Sequence, residues 1–228
     1  MIPFVSKKQS LDLDRLMVKK FKIPEIVMMD KAGMMLAEFT RQEYPKSKNV
    51  IICCGKGNNG GDGISSSRFL LNFGYNPTIF LVTDKIKNSP KLNLVIAKKL
   101  GVHVFSSLKK LEEEIIKSDL IIDCLIGYNL NDEPKGKFKK VIDTMNKSKK
   151  PIIACDIPSG IDADKGIINK TYIKSESILF LSLPKIGCKD KEVKSKKYVA
   201  DIGVPKKLYP MIGLKEENYF EKNNIIRI

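Results

Sequence analysis

The chain has 228 residues, enough for one large α/β domain with a full hydrophobic core. Its formal net charge is +15, yet among the 41 basic residues only Arg15, Arg41, Arg68 and Arg227 are arginine; scattered lysine describes a solvated surface better than a nucleic-acid groove, which favours the planar arginine fork. No apolar run approaches the ~18 residues of a membrane span, and Met1 to Lys8 lacks the apolar core and cleavage site of a secretory signal.

Ser6-Lys7-Lys8-Gln9 is a capping-box signature and opens an amphipathic helix to about Phe21. Pro24 starts a second helix through Met28, Met29, Met34, Met35 and Leu36. The apolar, β-branched run Val50 to Cys54 predicts a buried strand. It stops in a loop, 55–63, of glycines, asparagines and Asp62, and helical spacing resumes from Ile64 to Phe73. Strand 78–82, helix 90–100, strand 102–105, helix 107–117 and strand 119–124 follow. After a glycine-bearing loop come helix 137–147, strand 151–155 and strands near 177–181 and 197–201. Strands alternating with helices of this size imply a mostly parallel sheet covered on both faces. The lysine-rich connection 184–197 and the tail 207–228 read as surface, so the whole of 1–228 is taken as a single domain. Cys53, Cys54, Cys124 and Cys155 sit in apolar runs, and no CxxC pair exists. They behave as small buried hydrophobes in a reducing compartment, the cytoplasm by expectation. The lone histidine, His103, lies in the apolar strand Val102-His103-Val104-Phe105 and reads as structural.

Three loops each follow a strand directly, and in a parallel sheet all of them lie at the edge where such folds bind ligands. The first is 55–63, the second runs from Gly127 to Glu133, and the third is Asp156-Ile157-Pro158-Ser159-Gly160-Ile161-Asp162. Gly55-x-Gly57-x-x-Gly60 matches a dinucleotide fingerprint, which by itself is a weak signal. Asp62 then places a carboxylate where a pyrophosphate would sit; without a ligand it reads as a helix cap. On their own, Asp156 and Ser159 read as turn residues.

The full combination is more specific. The chain resembles the NAD(P)H-hydrate epimerase family, also called the YjeF N-terminal domain family. The resemblance is carried by Ile23-Pro24, by Met28 to Gly33 and by Gly55-Lys56-Gly57-Asn58-Asn59-Gly60-Gly61-Asp62-Gly63. Asp123 with Gly127, Asp156-Ile157-Pro158-Ser159-Gly160, Leu183-Pro184-Lys185 and Asp201 to Pro205 complete it, over about residues 3–206. The resemblance implies a Rossmann-like three-layer αβα sandwich, a homodimer, and interconversion of the R and S forms of NADHX and NADPHX. These are reduced nicotinamide cofactors hydrated at carbon 6. A separate ATP- or ADP-dependent dehydratase is the implied functional partner, with no membrane and no nucleic acid. It also implies a potassium ion on Asn59, Asp123 and Ser159. Substrate is implied against Asn58, Asn59, Gly60, Gly61 and Asp62, against Gly127, Tyr128, Asn129, Leu130, Asn131, Asp132 and Glu133, and against Asp156.

Chemistry agrees with those roles. A hard monovalent cation takes oxygens such as an amide carbonyl, a carboxylate and a hydroxyl. It would offset the crowding of Asp62, Asp123 and Asp156 near an anionic substrate. Asp156, at a strand end beside the Pro158-Ser159-Gly160 turn, is the candidate acid/base or orienting group, followed by Lys185 and Asp62. Two positions depart from the family pattern. Gly127-Tyr128-Asn129-Leu130 stands where Gly-Thr-Gly-Leu is frequent, and Asp30 stands where glutamate is common. A non-enzymatic dimeric scaffold or RNA-binding module of the same fold is the alternative reading. An ordinary NAD-dependent oxidoreductase is disfavoured, since no group for hydride transfer is evident.

Overall fold

A computed structural model describes residues 2–86, 88–130 and 132–228. Helix α1 (Lys7–Arg15) starts at the expected capping box, with Ser6 and Gln9 each satisfying the other's backbone N–H, and continues as a π-helical stretch, Leu16–Lys20. Helix α2 (Glu25–Glu43) follows, and then strands and helices alternate. They are β1 (Asn49–Cys54), α3 (Asn58–Asn72), β2 (Asn76–Leu81), α4 (Asn88–Lys99), β3 (His103–Phe105), α5 (Leu108–Lys117), β4 (Leu120–Cys124), α6 (Gly136–Lys147), β5 (Ile152–Cys155), β6 (Ser177–Leu181), β7 (Lys196–Ala200) and β8 (Ile225–Arg227).

One sheet holds the strands in the order β3-β2-β1-β4-β5-β6-β7-β8, parallel throughout except for β8, which runs antiparallel to β7. Strand order reverses between β1 and β4, and a crevice opens at such a switch point beyond the strand ends. Alternation along β1 sends Val50, Ile52 and Cys54 to the side of Leu36, Phe39, Ile64 and Leu70 from α2 and α3. Ile51 and Cys53 face Leu111, Ile115, Val141 and Met145 from α5 and α6. The expected three layers follow, with α1 packing Leu13 and Met17 against Ala154, Ile178 and Phe180 on the second face. All five cysteines are free and buried. Among the described residues, no helix is long and apolar enough to cross a membrane.

Four local expectations change. Helix α3 begins at Asn58, not Ile64, so Gly60, Gly61, Asp62 and Gly63 are helical. Glycine is required there by close approach and not by a turn. A Cβ on Gly63 would lie 2.5 Å from Cys124 Sγ and 2.8 Å from its Cβ, and one on Gly60 would strike the Gly55 carbonyl. Gly63→Ala is therefore expected to destabilise the protein by about 1–3 kcal/mol through overpacking, read as a lower urea midpoint at unchanged slope. The tail is also part of the fold. Leu208, Tyr209 and Ile212 are buried in the 3-10 helix Lys206–Ile212, and β8 extends the sheet. The connection 184–197 buries Lys185, Cys188 and Val193, so it is not all surface. Finally, His103 is exposed on the edge strand β3 and stacks on Phe105, its ring centroid 5.7 Å away.

Candidate active site

A cavity of about 420 Å³ opens at the switch point. The start of α3 forms one wall, where the first intrahelical bond runs from Gly61 N–H to the Gly57 carbonyl. The N–H groups of residues 58–60 are thus left for a ligand, at the positive end of a helix dipole. Asn58, Asn59, Gly60 and Asp62 line the cavity, as do Gly127, Tyr128, Asn129, Leu130 and Asp156. Gly61 instead packs against Met29 and Pro90. Asp132 is exposed, and Glu133 accepts the N–H groups of Lys170 and Thr171, each at 3.2 Å, outside the cavity lining. Asn131 lies outside the described residues.

Behind the cavity wall sits a buried polar knot. Asp123 pairs in register with Cys53 and Ala154, at the centre of the sheet, and is fully buried. Its Oδ2 accepts the Ser159 N–H at 2.8 Å, and its Oδ1 accepts the Ser159 hydroxyl at 2.6 Å and the Leu125 N–H at 3.1 Å. Burial pushes this carboxyl up to about 6 against the pull of those bonds. Ser159 Oγ also receives the Ile126 N–H at 2.8 Å. Asn59 reaches the end of the neighbouring strand: its Nδ2 donates to the Cys155 carbonyl at 3.0 Å, while its Oδ1 is buried with no hydrogen-bond partner among the described residues. An orphaned buried amide oxygen calls for a donor or a cation. Asn59 Oδ1, the Asp123 carboxylate and the Ser159 hydroxyl offer oxygens only, the donor chemistry that a hard monovalent ion takes.

Asp156 is held differently. It has φ 66, one of four non-glycine residues in the left-handed region among those described. Such strain is stored where surrounding structure over-determines it. Its Oδ1 accepts the Leu181 N–H at 3.1 Å and an ion-pair bond from Lys185 Nζ. Lys185 is 3 % exposed and donates also to the carbonyls of Leu183 at 3.1 Å and Leu181 at 3.4 Å. These three bonds account for the three ammonium hydrogens, and among the described residues no hydrogen bond reaches Oδ2 of Asp156, a residue that lines the cavity.

The cavity holds a further carboxyl that the loop motifs do not contain. Asp14 of α1 lines it and accepts the Tyr128 hydroxyl. Burial pushes Asp14 up, with the Tyr128 bond and the Lys185 charge opposing. Burial also pushes Asp62 well up, reinforced by the charges of Asp156 and Asp14. Nothing in the sequence singles out Asp14, which falls inside the amphipathic helix expected after the Ser6–Gln9 capping box. Asp30, the departure noted in the second helix, bonds Arg68 and the Ser65 hydroxyl, tying α2 to α3 away from the cavity.

Comparison with known proteins agrees with this geometry. The YjeF-related protein N-terminus family matches residues 25–187. The chain is 32 % identical to the NAD(P)H-hydrate epimerase of Entamoeba histolytica, across 97 % of this chain and 99 % of that protein. It is also 32 % identical to the bifunctional NAD(P)H-hydrate repair enzyme Nnr of Moorella thermoacetica, covering 86 % of this chain and 39 % of that protein. The crystal structure of the yeast protein YNL200c superposes with a TM-score of 0.88 at 26 % identity, covering 100 % of both chains. By fold, by cavity and by these likenesses, the chain belongs to the YjeF-related protein N-terminus family.

Proposed function

We propose that the protein is an NAD(P)H-hydrate epimerase, an isomerase that interconverts the R and S forms of NADHX and NADPHX for cofactor repair. The observation that carries the reading is the juxtaposition, at one switch point, of free α3 N–H groups, the Asn59–Asp123–Ser159 oxygen knot and the strained Asp156. The N–H groups suit the pyrophosphate of a dinucleotide. Carbon 6 of the hydrated ring carries a hydroxyl and adjoins the ring nitrogen. Protonation of that hydroxyl lets it leave as water while the nitrogen lone pair forms a carbon–nitrogen double bond. Water then adds to the opposite face and surrenders a proton to a base, so atoms and charge balance. Asp156, whose Oδ2 has no hydrogen-bond partner among the described residues, is our candidate for the acid/base or orienting group.

Asn59, Asp123 and Ser159 are the residues that would hold potassium, and the ion when bound would offset carboxylate charge beside an anionic substrate. Asn58, Asn59, Gly60, Asp62, residues 127–130 and Asp156, which line the cavity, are assigned to substrate on the same footing. A homodimer and a cytoplasmic setting belong to this reading, with an ATP- or ADP-dependent dehydratase consuming the S epimer. The name of the Moorella relative, a bifunctional repair enzyme, supports that coupling. Nothing in the cavity favours the scaffold alternative. The test is chromatographic: purified protein is given the R epimer of NADHX, and approach to the equilibrium mixture is followed. Conversion well above the spontaneous rate is expected, and a rate equal to the spontaneous one sinks the proposal.

A further inference from the structure

We infer that Asp14 is a positioning residue of this site, acting through Tyr128 on the Lys185–Asp156 pair. The inference rests on the epimerase reading and adds a residue from a different element, the N-terminal helix. Four side chains form one continuous line of contacts. The Tyr128 hydroxyl donates to Asp14 Oδ2, joining residues 114 apart in the chain. The Tyr128 ring centroid lies 5.6 Å from Lys185 Nζ, within cation–π range. Lys185 in turn donates to Asp156 Oδ1.

The physical case has two parts. Lys185 is buried with a single carboxylate and two carbonyls, so the aromatic face is its remaining cover toward the cavity. A ring free to rotate would admit water to the ammonium and loosen its hold on Asp156. Asp14 prevents that rotation by fixing the ring at its far end. The second part is the unfavourable setting of Asp14 itself. Asp14 is half-buried, and a carboxyl held against one phenol, with no salt bridge to it among the described residues, works against the fold alone. Local violations of this kind concentrate at functional sites. Leu13 and Met17, both buried, hold α1 against this wall, so the carboxyl is presented by a packed helix.

The test uses four variants of the full chain. Asp14→Ala removes the acceptor, and Tyr128→Phe removes only the donor oxygen while keeping the ring. Asp14→Asn keeps an acceptor oxygen for the hydroxyl. The expected result is a fall in kcat of at least ~10-fold for Asp14→Ala and Tyr128→Phe, the scale of a hydrogen bond to a charged group, with KM changed far less. Asp14→Asn should retain most of the turnover, and the Asp14→Ala/Tyr128→Phe double variant should fall no further than the worse single change. Losses that multiply, or that lie in KM alone, overturn the inference. So does an unaffected Asp14→Ala.

A second arm needs no turnover. In protein labelled with ¹³C at the aspartate carboxyls, the Asp156 resonance is assigned by its absence in Asp156→Asn. It should move in Tyr128→Phe and stay in place in Asp14→Asn. An inert wild type with a moving resonance would sink the epimerase reading and leave the network standing. An active wild type with an unmoved resonance would do the reverse. If Asp14→Ala fails to fold, Tyr128→Phe alone carries both arms.

Discussion

Asp156→Asn is expected to slow epimerisation by at least ~10²-fold, the lower end of what positioned acid–base catalysis contributes. The amide keeps the size of the side chain and tolerates the left-handed backbone at φ 66. It still accepts the Leu181 N–H, so substrate binding should survive. Stability should not. Lys185 would be left as a buried ammonium facing a neutral amide, and breaking such a pair from one side costs about 3–5 kcal/mol. Loss of rate therefore has to be separated from loss of folded protein. Adding Lys185→Met removes the stranded charge and should restore much of the thermal stability while turnover stays low. Near-wild-type conversion by Asp156→Asn, measured on protein shown to be folded, would move proton transfer to another group. Asp62, which burial pushes well up toward the protonated form, would then be the first to examine.

The layered fold was legible because each strand is a short β-branched run and each helix carries a stripe of apolar residues. Those signals come from burial on two faces and on one, respectively. What the sequence could not supply is instructive in each case. Gly60 and Gly63 read as loop residues because glycine disfavours helix interiors, yet tertiary contact with the Gly55 carbonyl and Cys124 dictates them inside α3. Strand β8 is only three residues long, and its partner is β7 across an irregular stretch, so no periodicity marks it. Lys185 stood in the sequence as part of the family resemblance and as a reserve candidate, but nothing in its lysine-rich stretch marked it as buried and paired with Asp156. Asn59, Asp62, Asp156 and Ser159 stand on strand-end loops that parallel topology gathers, whereas Asp123, inside β4, was pointed to by the family resemblance. Asp14 arrives from the opposite direction, on a helix that precedes the sheet, and only packing shows that it reaches the same cavity.

Potassium is expected to stabilise the protein at neutral pH and to lose that effect as the pH falls through about 6. Burial raises the Asp123 carboxyl from an ordinary 3.8 to about 6, with the Ser159 and Leu125 hydrogen bonds opposing. The folded state thus holds this proton more tightly than the unfolded chain does. Its contribution to stability is fully present below the unfolded value and is lost as pH rises through the folded one. The loss is on the order of 3 kcal/mol once Asp123 is ionised. A cation held by Asn59 Oδ1, Asp123 and the Ser159 hydroxyl would offset that loss, because it binds the carboxylate and not the acid. Thermal unfolding in potassium chloride and in choline chloride at equal ionic strength, at pH values above and below 6, measures the difference. The increment in Tm should be present above pH 6, shrink below it, and vanish in Asp123→Asn at either pH. Asparagine still fills the space but presents hydrogens to donors that expect an acceptor, so the variant should also melt earlier in choline. An increment that is the same at both pH values, or that survives Asp123→Asn, would place the ion elsewhere and leave the orphaned Asn59 oxygen to be satisfied by water.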